Sequence, residues 1–393
     1  MILSGARVAA DGGTAVRADV EIEESRIKAV RTARRVADAI RLDGYLLLPG
    51  LINAHDHLDF ALFPRLGRGP YPNATCWAHD IYRPNESPVR EHLRVPRSVR
   101  LLWGALRNLF AGVTTLCHHD PVHRVFRQGF PVRVLRRFGW AHSLAFDPSV
   151  TEKHRRTPRD APFILHLGEA VDGAGRREIF ELDRLGALDD RTVLVHAVAL
   201  DAQGRELVKQ KRASLIWCPS SNLFLLGRTV APEVFRSGIP VALGTDSPLT
   251  AAGDLLDELR LARRISGLEA EELYRMVTTA AARVLQLSGG EGAITEGASA
   301  DLCAFPDDGA PPAELLLNPD TRAPSLVIVG GEVALVEPAL AERLPAPVRR
   351  RLEPLALEGK PQRLVRADVR KLYRRATAAL GEPLFLGGKR VTV

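Results

Sequence analysis

The chain has 393 residues, 46% of them hydrophobic, which suits one large domain with an appendage or two domains and excludes a disordered chain. No run of eighteen apolar residues occurs, and the first residues, Met1-Ile2-Leu3-Ser4-Gly5, lack the basic-then-apolar layout of a secretion signal; a cytoplasmic location without a membrane partner is expected. The formal net charge of +7 comes mostly from arginines dispersed among 47 carboxylates, which reads as a solvated surface and not as a nucleic-acid platform.

Residues 2–48 alternate apolar and polar positions between turns such as Asp11-Gly12-Gly13, predicting a small module of short strands. From about residue 50 to 290 short apolar runs alternate with Arg/Glu/Ala-rich stretches, the texture of repeated βα units. Strands are predicted at Leu51 to Ala54, Val113 to Cys117, Val132 to Leu135, Ala141 to Phe146, Phe163 to Leu167, Thr192 to Val195, Ser214 to Cys218 and Val241 to Gly244. Seven or eight such units fit a distorted (β/α)8, TIM-like barrel better than an open sheet. Helices are predicted over Val99 to Phe110, Arg177 to Leu185, Asp201 to Lys209, Asp254 to Ile265 and Glu269 to Leu285. Beyond Gly289 strand texture returns in Ala300 to Phe305 and in a Gly330-Gly331 hairpin, followed by a basic helical stretch, Arg363 to Leu380, and a strand-like tail from Gly388. The expected division is a barrel over residues 50–291 and a β-sandwich assembled from 1–49 and 292–393. Cys76, Cys117, Cys218 and Cys303 show no Cys-x-x-Cys spacing, arguing against a disulfide framework or a zinc finger.

His55 and His57 close the first apolar run. In a strand, side chains at i and i+2 leave from one face, so both imidazoles can reach one metal ion while Asp56 points away. Other strands also stop at residues able to bind a metal: His166 after Phe163-Ile164-Leu165, His196 after Val193-Leu194-Val195, and Asp246 after Val241 to Thr245. Parallel barrels place functional groups at these strand ends, and polar groups clustered there without a shared partner cost about 1–3 kcal/mol each. Two alternatives stand beside this: Glu169 as a solvated loop carboxylate, and Asp246 as the cap of the following helix.

With these motifs in place, the chain resembles the amidohydrolase superfamily, in particular its mononuclear deaminase and chlorohydrolase-like branch. The resemblance rests on Pro49-Gly50-Leu51-Ile52-Asn53-Ala54-His55-Asp56-His57, Gly112-Val113-Thr114-Thr115, His166-Leu167-Gly168-Glu169, His196, Cys218-Pro219-Ser220-Ser221-Asn222 and Gly244-Thr245-Asp246-Ser247. It continues through Gly297-Ala298-Ser299-Ala300-Asp301-Leu302 and covers nearly the whole chain. It implies His55, His57, His166 and Asp246 as ligands of one divalent ion, with Glu169, His196 and Asp246 as catalytic groups. Three imidazoles and a carboxylate suit zinc, and iron accepts the same set. Such an ion lowers the pKa of water to about 7. The implied activity is hydrolysis of a carbon–nitrogen bond in a small molecule, foremost deamination of an aromatic or cyclic amidine such as a purine, pyrimidine or pterin-like ring. Cyclic amide hydrolysis by the same machinery is the alternative, and a non-catalytic scaffold retaining the fold is the reading from another class.

The chain departs from the family between the second strand and His166, where about forty residues leave the third and fourth units abbreviated. Lys153, the only lysine there, lies in a polar stretch, which predicts one metal and not a carboxylated-lysine pair. The connection from Asp59 to His92 is rich in aromatics, glycine and proline, and either covers the barrel mouth or packs elsewhere. Trp77, Tyr82, His118 and Asn222 are candidate substrate contacts, with Phe224, Arg65, Arg68 and Arg83 placed by position only. Cys117-His118-His119-Asp120 with His123 forms a further cluster at the end of the second strand, its histidines read as substrate contacts or as partners of the primary ligands, with a second metal as the lesser alternative. A homodimer is left open.

Overall fold

The N-terminal alternation folds into six strands: β1 (Ile2–Ser4), β2 (Arg7–Ala9), β3 (Ala15–Glu23), β4 (Arg26–Thr32), β5 (Ile40–Arg41) and β6 (Tyr45–Pro49). The structure is a computed structural model that describes residues 1–32, 39–127, 129–381 and 383–393; positions 33–38 of the predicted module lie outside the described residues.

Eight parallel strands follow: β7 (Leu51–Asp56), β8 (Val113–His118), β9 (Arg133–Val134), β10 (Gly139–Ala141), β11 (Phe163–Leu167), β12 (Thr192–His196), β13 (Ser214–Trp217) and β14 (Val241–Leu243). They form two ladders, β7-β8-β9 and β10 through β14. The ends of the outer strands β14 and β7 meet where the N–H groups of Thr245 and Asp246 both donate to the His55 carbonyl at 3.0 and 3.1 Å. Ile52, Ala54, Cys117, Ile164, Val193, Val195 and Ile216 pack together as the interior of these strands. The opposite faces, through Leu51, Leu165, Leu194 and Leu215, join the large cluster beneath the helices.

The long connection after β7 contains α1 (Ala74–Ile81), α2 (Val89–Arg94) and α3 (Arg97–Leu109). Asn73 caps α1 by accepting from the Cys76 N–H at 2.9 Å. α3 buries Val99, Trp103, Leu106 and Leu109 against the barrel, each side chain contributing about 1.5–3 kcal/mol of hydrophobic stabilisation. Later crossovers are α4 (Val150–Arg156), α5 (Gly173–Arg184), α6 (Ala202–Gln210), α7 (Pro219–Leu226), α8 (Glu233–Arg236) and α9 (Leu255–Ser266), followed by α10 (Ala270–Met276) and α11 (Thr279–Val284).

Three predicted elements differ. The strand expected at Ala141 to Phe146 occupies Gly139–Ala141 instead and stops there, because Ser143 turns the chain by accepting from the Phe146 N–H. The helix expected over Glu269 to Leu285 breaks after Met276, where the Ile52 N–H donates to the Val277 carbonyl and ties the break to β7. The stretch expected to be helical from Arg363 opens as a strand, Arg363–Val365, and becomes helical at Val369–Leu380.

The chain returns to the N-terminal strands after the barrel. β15 (Leu302–Pro306) runs antiparallel to β6, pairing Leu302 with Pro49 and Phe305 with Leu46. The same sheet continues through the predicted hairpin, β16 (Leu326–Val329) and β17 (Glu332–Val336), and on to the C-terminal strands. Both chain ends therefore share one sheet, packed around Val20, Leu47, Leu302 and Ile328. No helix among the described residues is long and apolar enough to cross a membrane.

Candidate functional site

The interior strand ends converge on one point. His55 Nε2 lies 3.3 Å from His166 Nε2 and 3.6 Å from Asp246 Oδ1, and His57 Nε2 lies 3.6 Å from the same Asp246 oxygen. Beside them, His196 Nε2 stands 3.5 Å from Glu169 Oε1 and 3.8 Å from Asp246 Oδ2. The six predicted metal and catalytic residues are thus brought together from four strand ends and the segments just after them.

Simple strand alternation does not account for all of this. Ile52 and Ala54 face the interior, so an unbroken strand would turn His55 and His57 outward; the β7-β8 register shifts between Asn53 and Asp56. On β12, Val193 and Val195 face the interior, and His196 joins them by adopting φ 71°. Asp246 follows β14 at φ 55°. A left-handed non-glycine residue costs on the order of 1–3 kcal/mol and persists only where its surroundings hold it.

Three of the rings are oriented by a group behind them, whereas the buried Nδ1 of His55 has no hydrogen-bond partner. His166 Nδ1 donates to the His142 carbonyl at 2.8 Å, leaving a bare lone pair on Nε2. His196 Nδ1 donates to Asn222 Oδ1 at 2.8 Å, and His57 Nδ1 lies 3.4 Å from Asp120 Oδ2. Asp246 Oδ2 accepts from the Ser221 hydroxyl at 2.6 Å. Asp56 indeed points away from the histidines: both its oxygens accept from Arg107 Nη2 at 2.8 Å, and Asn108 Nδ2 adds a third bond at 2.7 Å. The sequence did not point to Arg107 or His142 as supports, whereas Asp120 lay in the cluster that follows the second strand. Ser221 lay inside a quoted motif, and its neighbour Asn222 was the only signal available for it.

Burial lowers the His55 imidazole to about 4 and raises the Glu169 carboxyl to about 7. Burial also opposes charge on His57 and Asp246, but ionic partners outweigh it there. Asp120, Asp246 and Asp59 bring His57 up to about 9, whereas His55, His196 and His57 hold Asp246 well below the carboxylate range.

The donor set fits a divalent ion. Tetrahedral ligands at metal distances of about 2.0–2.1 Å stand about 3.4 Å from one another, and the separations above are 3.3 and 3.6 Å. Two imidazole nitrogens facing each other beside a carboxylate satisfy one another poorly as hydrogen-bond partners, and a shared cation resolves that. His119 joins the edge of this group. Its Nε2 donates to the Ala141 carbonyl at 3.1 Å, its buried Nδ1 has no hydrogen-bond partner, and its ring centroid lies 4.3 Å from that of His166.

A cavity of about 580 Å³ opens above His57, His166, Glu169, His196 and Asp246. Trp77 and Tyr82, on the connection that lies over the mouth, line it, and His118 and Asn222 do not. His118 Nδ1 accepts from the Leu58 N–H at 3.2 Å, and Asn222 sits behind His196. His123 caps a short turn, accepting from the Val125 N–H at 3.1 Å. Arg65 stacks over the Phe224 ring at 4.7 Å, so these two candidates satisfy each other outside the cavity. Arg68 and Arg83 are also absent from its walls. Lys153 pairs with Asp147 at 2.5 Å on α4, away from the ligand cluster.

Residues 164–334 match the model of the amidohydrolase family. A 5-methylthioadenosine/S-adenosylhomocysteine deaminase from Syntrophobacter fumaroxidans is 26% identical over 354 residues, covering 72% of this chain and 78% of that protein. Among solved structures, an atrazine chlorohydrolase from Arthrobacter aurescens complexed with zinc superposes with a TM-score of 0.73 at 20% identity, covering 96% of this chain and 99% of that one. An adenosine deaminase from Xanthomonas campestris with bound zinc gives a TM-score of 0.68 at 19% identity, covering 96% and 97%. The two structural likenesses show the shared fold, a TIM-like barrel with a β-sandwich.

Proposed function

The chain carries an amidohydrolase-family domain at residues 164–334, and from that premise we propose that it is a metal-dependent hydrolase of carbon–nitrogen bonds that deaminates a purine-like or related cyclic amidine. The observation carrying this reading is the run of short separations from His57 to Asp246, Asp246 to His55 and His55 to His166, each 3.3–3.6 Å, beside the Glu169–His196 pair at 3.5 Å. The relative named as a deaminase of adenosine-type compounds supports the purine-like choice, and the zinc in the two similar structures supports zinc as the ion.

When bound, a divalent ion lowers the pKa of water to about 7 and so supplies a nucleophile at neutral pH. His55, His57, His166 and Asp246 would hold it. Asp246 Oδ1 faces the ligand nitrogens while its Oδ2 turns toward His196; Asp246 takes the proton released as the nucleophile attacks the amidine carbon. Glu169, on the cavity wall, gives its proton to the adjacent ring nitrogen; the proton taken by Asp246 passes to the departing amine, and the proton of the new C–OH returns to Glu169 as the carbonyl forms. His196, its Nδ1–H held by Asn222, donates from Nε2 as the imidazolium toward the atom on which negative charge develops. Products are the ring carbonyl and ammonia. The reading also takes residues 50–291 as the catalytic barrel and 1–49 with 292–393 as its β-sandwich appendage, in a cytoplasmic enzyme acting on a small molecule.

The test is a panel of ring amines and cyclic amides given to zinc-loaded protein, scored for ammonia and for ring opening. Ammonia release that disappears in Glu169→Gln is the expected result. Ring opening without ammonia, or full activity in Glu169→Gln, overturns the reading.

A further inference from the structure

The walls of the cavity above Glu169 differ sharply from its floor. Phe60, Phe63, Trp77 and Ile81 form the sides, and the Trp77 indole N–H is spent on the Leu66 carbonyl at 3.0 Å, so that only carbon faces the space. Around the mouth stand Tyr82, Leu93 and Phe146, exposed by 72%, 43% and 42%; three of the large hydrophobic side chains that this chain leaves in water ring one opening. Glu169 and Asp246 are the only carboxylates on the cavity wall among the described residues, and no arginine, lysine, asparagine or glutamine lines it; besides His57, His166 and His196, its polar side chains are His79, His142, Tyr82, Ser247 and Thr250. Thr250, on the same wall, is engaged with Asp246 and Ser247.

A smaller cavity of about 310 Å³ shares His142, His166 and Glu169 and includes Asp172 and Glu178. Both carboxylates are occupied. Asp172 accepts from Asn73 Nδ2 and the Gly175 N–H at 2.8 Å each, and Glu178 accepts from the Gly168 N–H at 2.7 Å.

We propose that the substituent the substrate ring carries into the larger cavity is apolar, an aryl or branched alkyl group, and not a ribose or another polyol. The inference rests on the ring-deamination reading for the position of the ring over Glu169 and extends it to the rest of the substrate. A vicinal diol needs a carboxylate or amide to replace its water, and the two carboxylates here are committed to the reacting end. An aryl group gains by leaving water for the Phe60, Phe63 and Trp77 faces, and it covers the exposed apolar rim as it binds.

The experiment measures binding and turnover separately. Zinc-loaded Glu169→Gln protein is titrated calorimetrically with adenine, adenosine and 9-benzyladenine, and with cytosine, cytidine and 1-benzylcytosine; ammonia release from the same six compounds is measured with the unsubstituted enzyme. At least one benzyl compound binds ten-fold or more tightly than its ribosyl counterpart, and Leu93→Asp, a change at an exposed rim position, cuts that ratio at least five-fold. Ribosyl compounds binding as tightly as the benzyl compounds, or no measurable binding of either benzyl compound, overturns the inference. Preferential benzyl binding with no ammonia from any of the six leaves the apolar subsite standing and overturns the deaminase reading.

Discussion

The main-chain N–H of Asp246 donates to the carbonyl oxygen of His55 at 3.1 Å, while the His55 Nε2 and an Asp246 carboxylate oxygen face each other across 3.6 Å. Backbone and side chain of the same two residues are thereby locked together where β14 meets β7. The approach is possible because residue 244 is glycine: a Cβ there would stand 2.7 Å from the His55 Cβ. Gly244→Ala is expected to destabilise the fold by about 1–3 kcal/mol and to weaken divalent-ion binding, since the clash displaces a ligand. Denaturant unfolding and chelator competition check the two effects.

Ion binding stabilises the native chain by mass action. At zinc concentrations one hundred times Kd, the unfolding free energy should rise by about 2.7 kcal/mol. Asp246→Asn or His166→Ala should remove most of that gain. Thermal unfolding with zinc and with excess chelator provides the measurement; identical curves for the unsubstituted protein would count against the ligand set.

Asn222 lies behind His196 and outside the cavity, its Oδ1 2.8 Å from His196 Nδ1. Asn222→Leu should therefore lower kcat about 10–100-fold with a smaller change in KM, because the ring loses its fixed tautomer while the substrate keeps its contacts. Steady-state kinetics on the substrate found in the panel separate the two constants.

Beneath the ligands, Arg107 and Asp56 form an ion pair whose side chains are only 3% and 0% exposed. Arg107→Leu leaves a buried carboxylate with amide partners alone and should cost about 3–5 kcal/mol. Replacing both residues, Arg107→Leu with Asp56→Leu, should cost less than the single change if the unpaired charge is the cause. Guanidinium titrations of the two variants decide this.

Asp254 caps α9 and meets Lys360 Nζ at 2.5 Å and Lys389 Nζ at 3.6 Å, joining the barrel to the C-terminal strands. Burial opposes its charge, but the two lysines outweigh burial and hold its carboxyl below the usual 3.8, at about 2. A carboxyl lowered on folding adds stability that is fully present above pH 3.8 and is lost as pH falls through about 2. Asp254→Asn should flatten that acid limb between pH 4 and 2 and lower stability at pH 7, where Lys360 loses its partner. Unfolding midpoints measured across this range test the sign.

Much of the fold was legible because its signals are local. Repeated apolar runs ending at His166, His196 or Asp246 marked the barrel strands, and Gly330-Gly331 marked the hairpin between β16 and β17. The failures occurred where a turn-forming side chain or a distant contact overrides the apolar pattern. The apolar letters of Ala141 to Phe146 suit a strand, yet the Ser143 turn ends it. The apolar periodicity through Val277 suits one helix, yet the bond from Ile52 to the Val277 carbonyl accompanies a break.

By itself, the sequence determined which side chains were available for metal and proton chemistry, and in what order along the chain, because imidazoles and carboxylates at strand ends are visible as letters. Only the tertiary structure decided which way they face. His55 and His57 turn inward through a register shift, and His196 through a left-handed backbone; neither follows from a two-residue period. It also separated His118 and Asn222 from the cavity, and it gathered Phe60, Trp77, Leu93 and Phe146, from two connections, into one apolar wall. Such proximity depends on how strands and loops close in space, which no local pattern encodes.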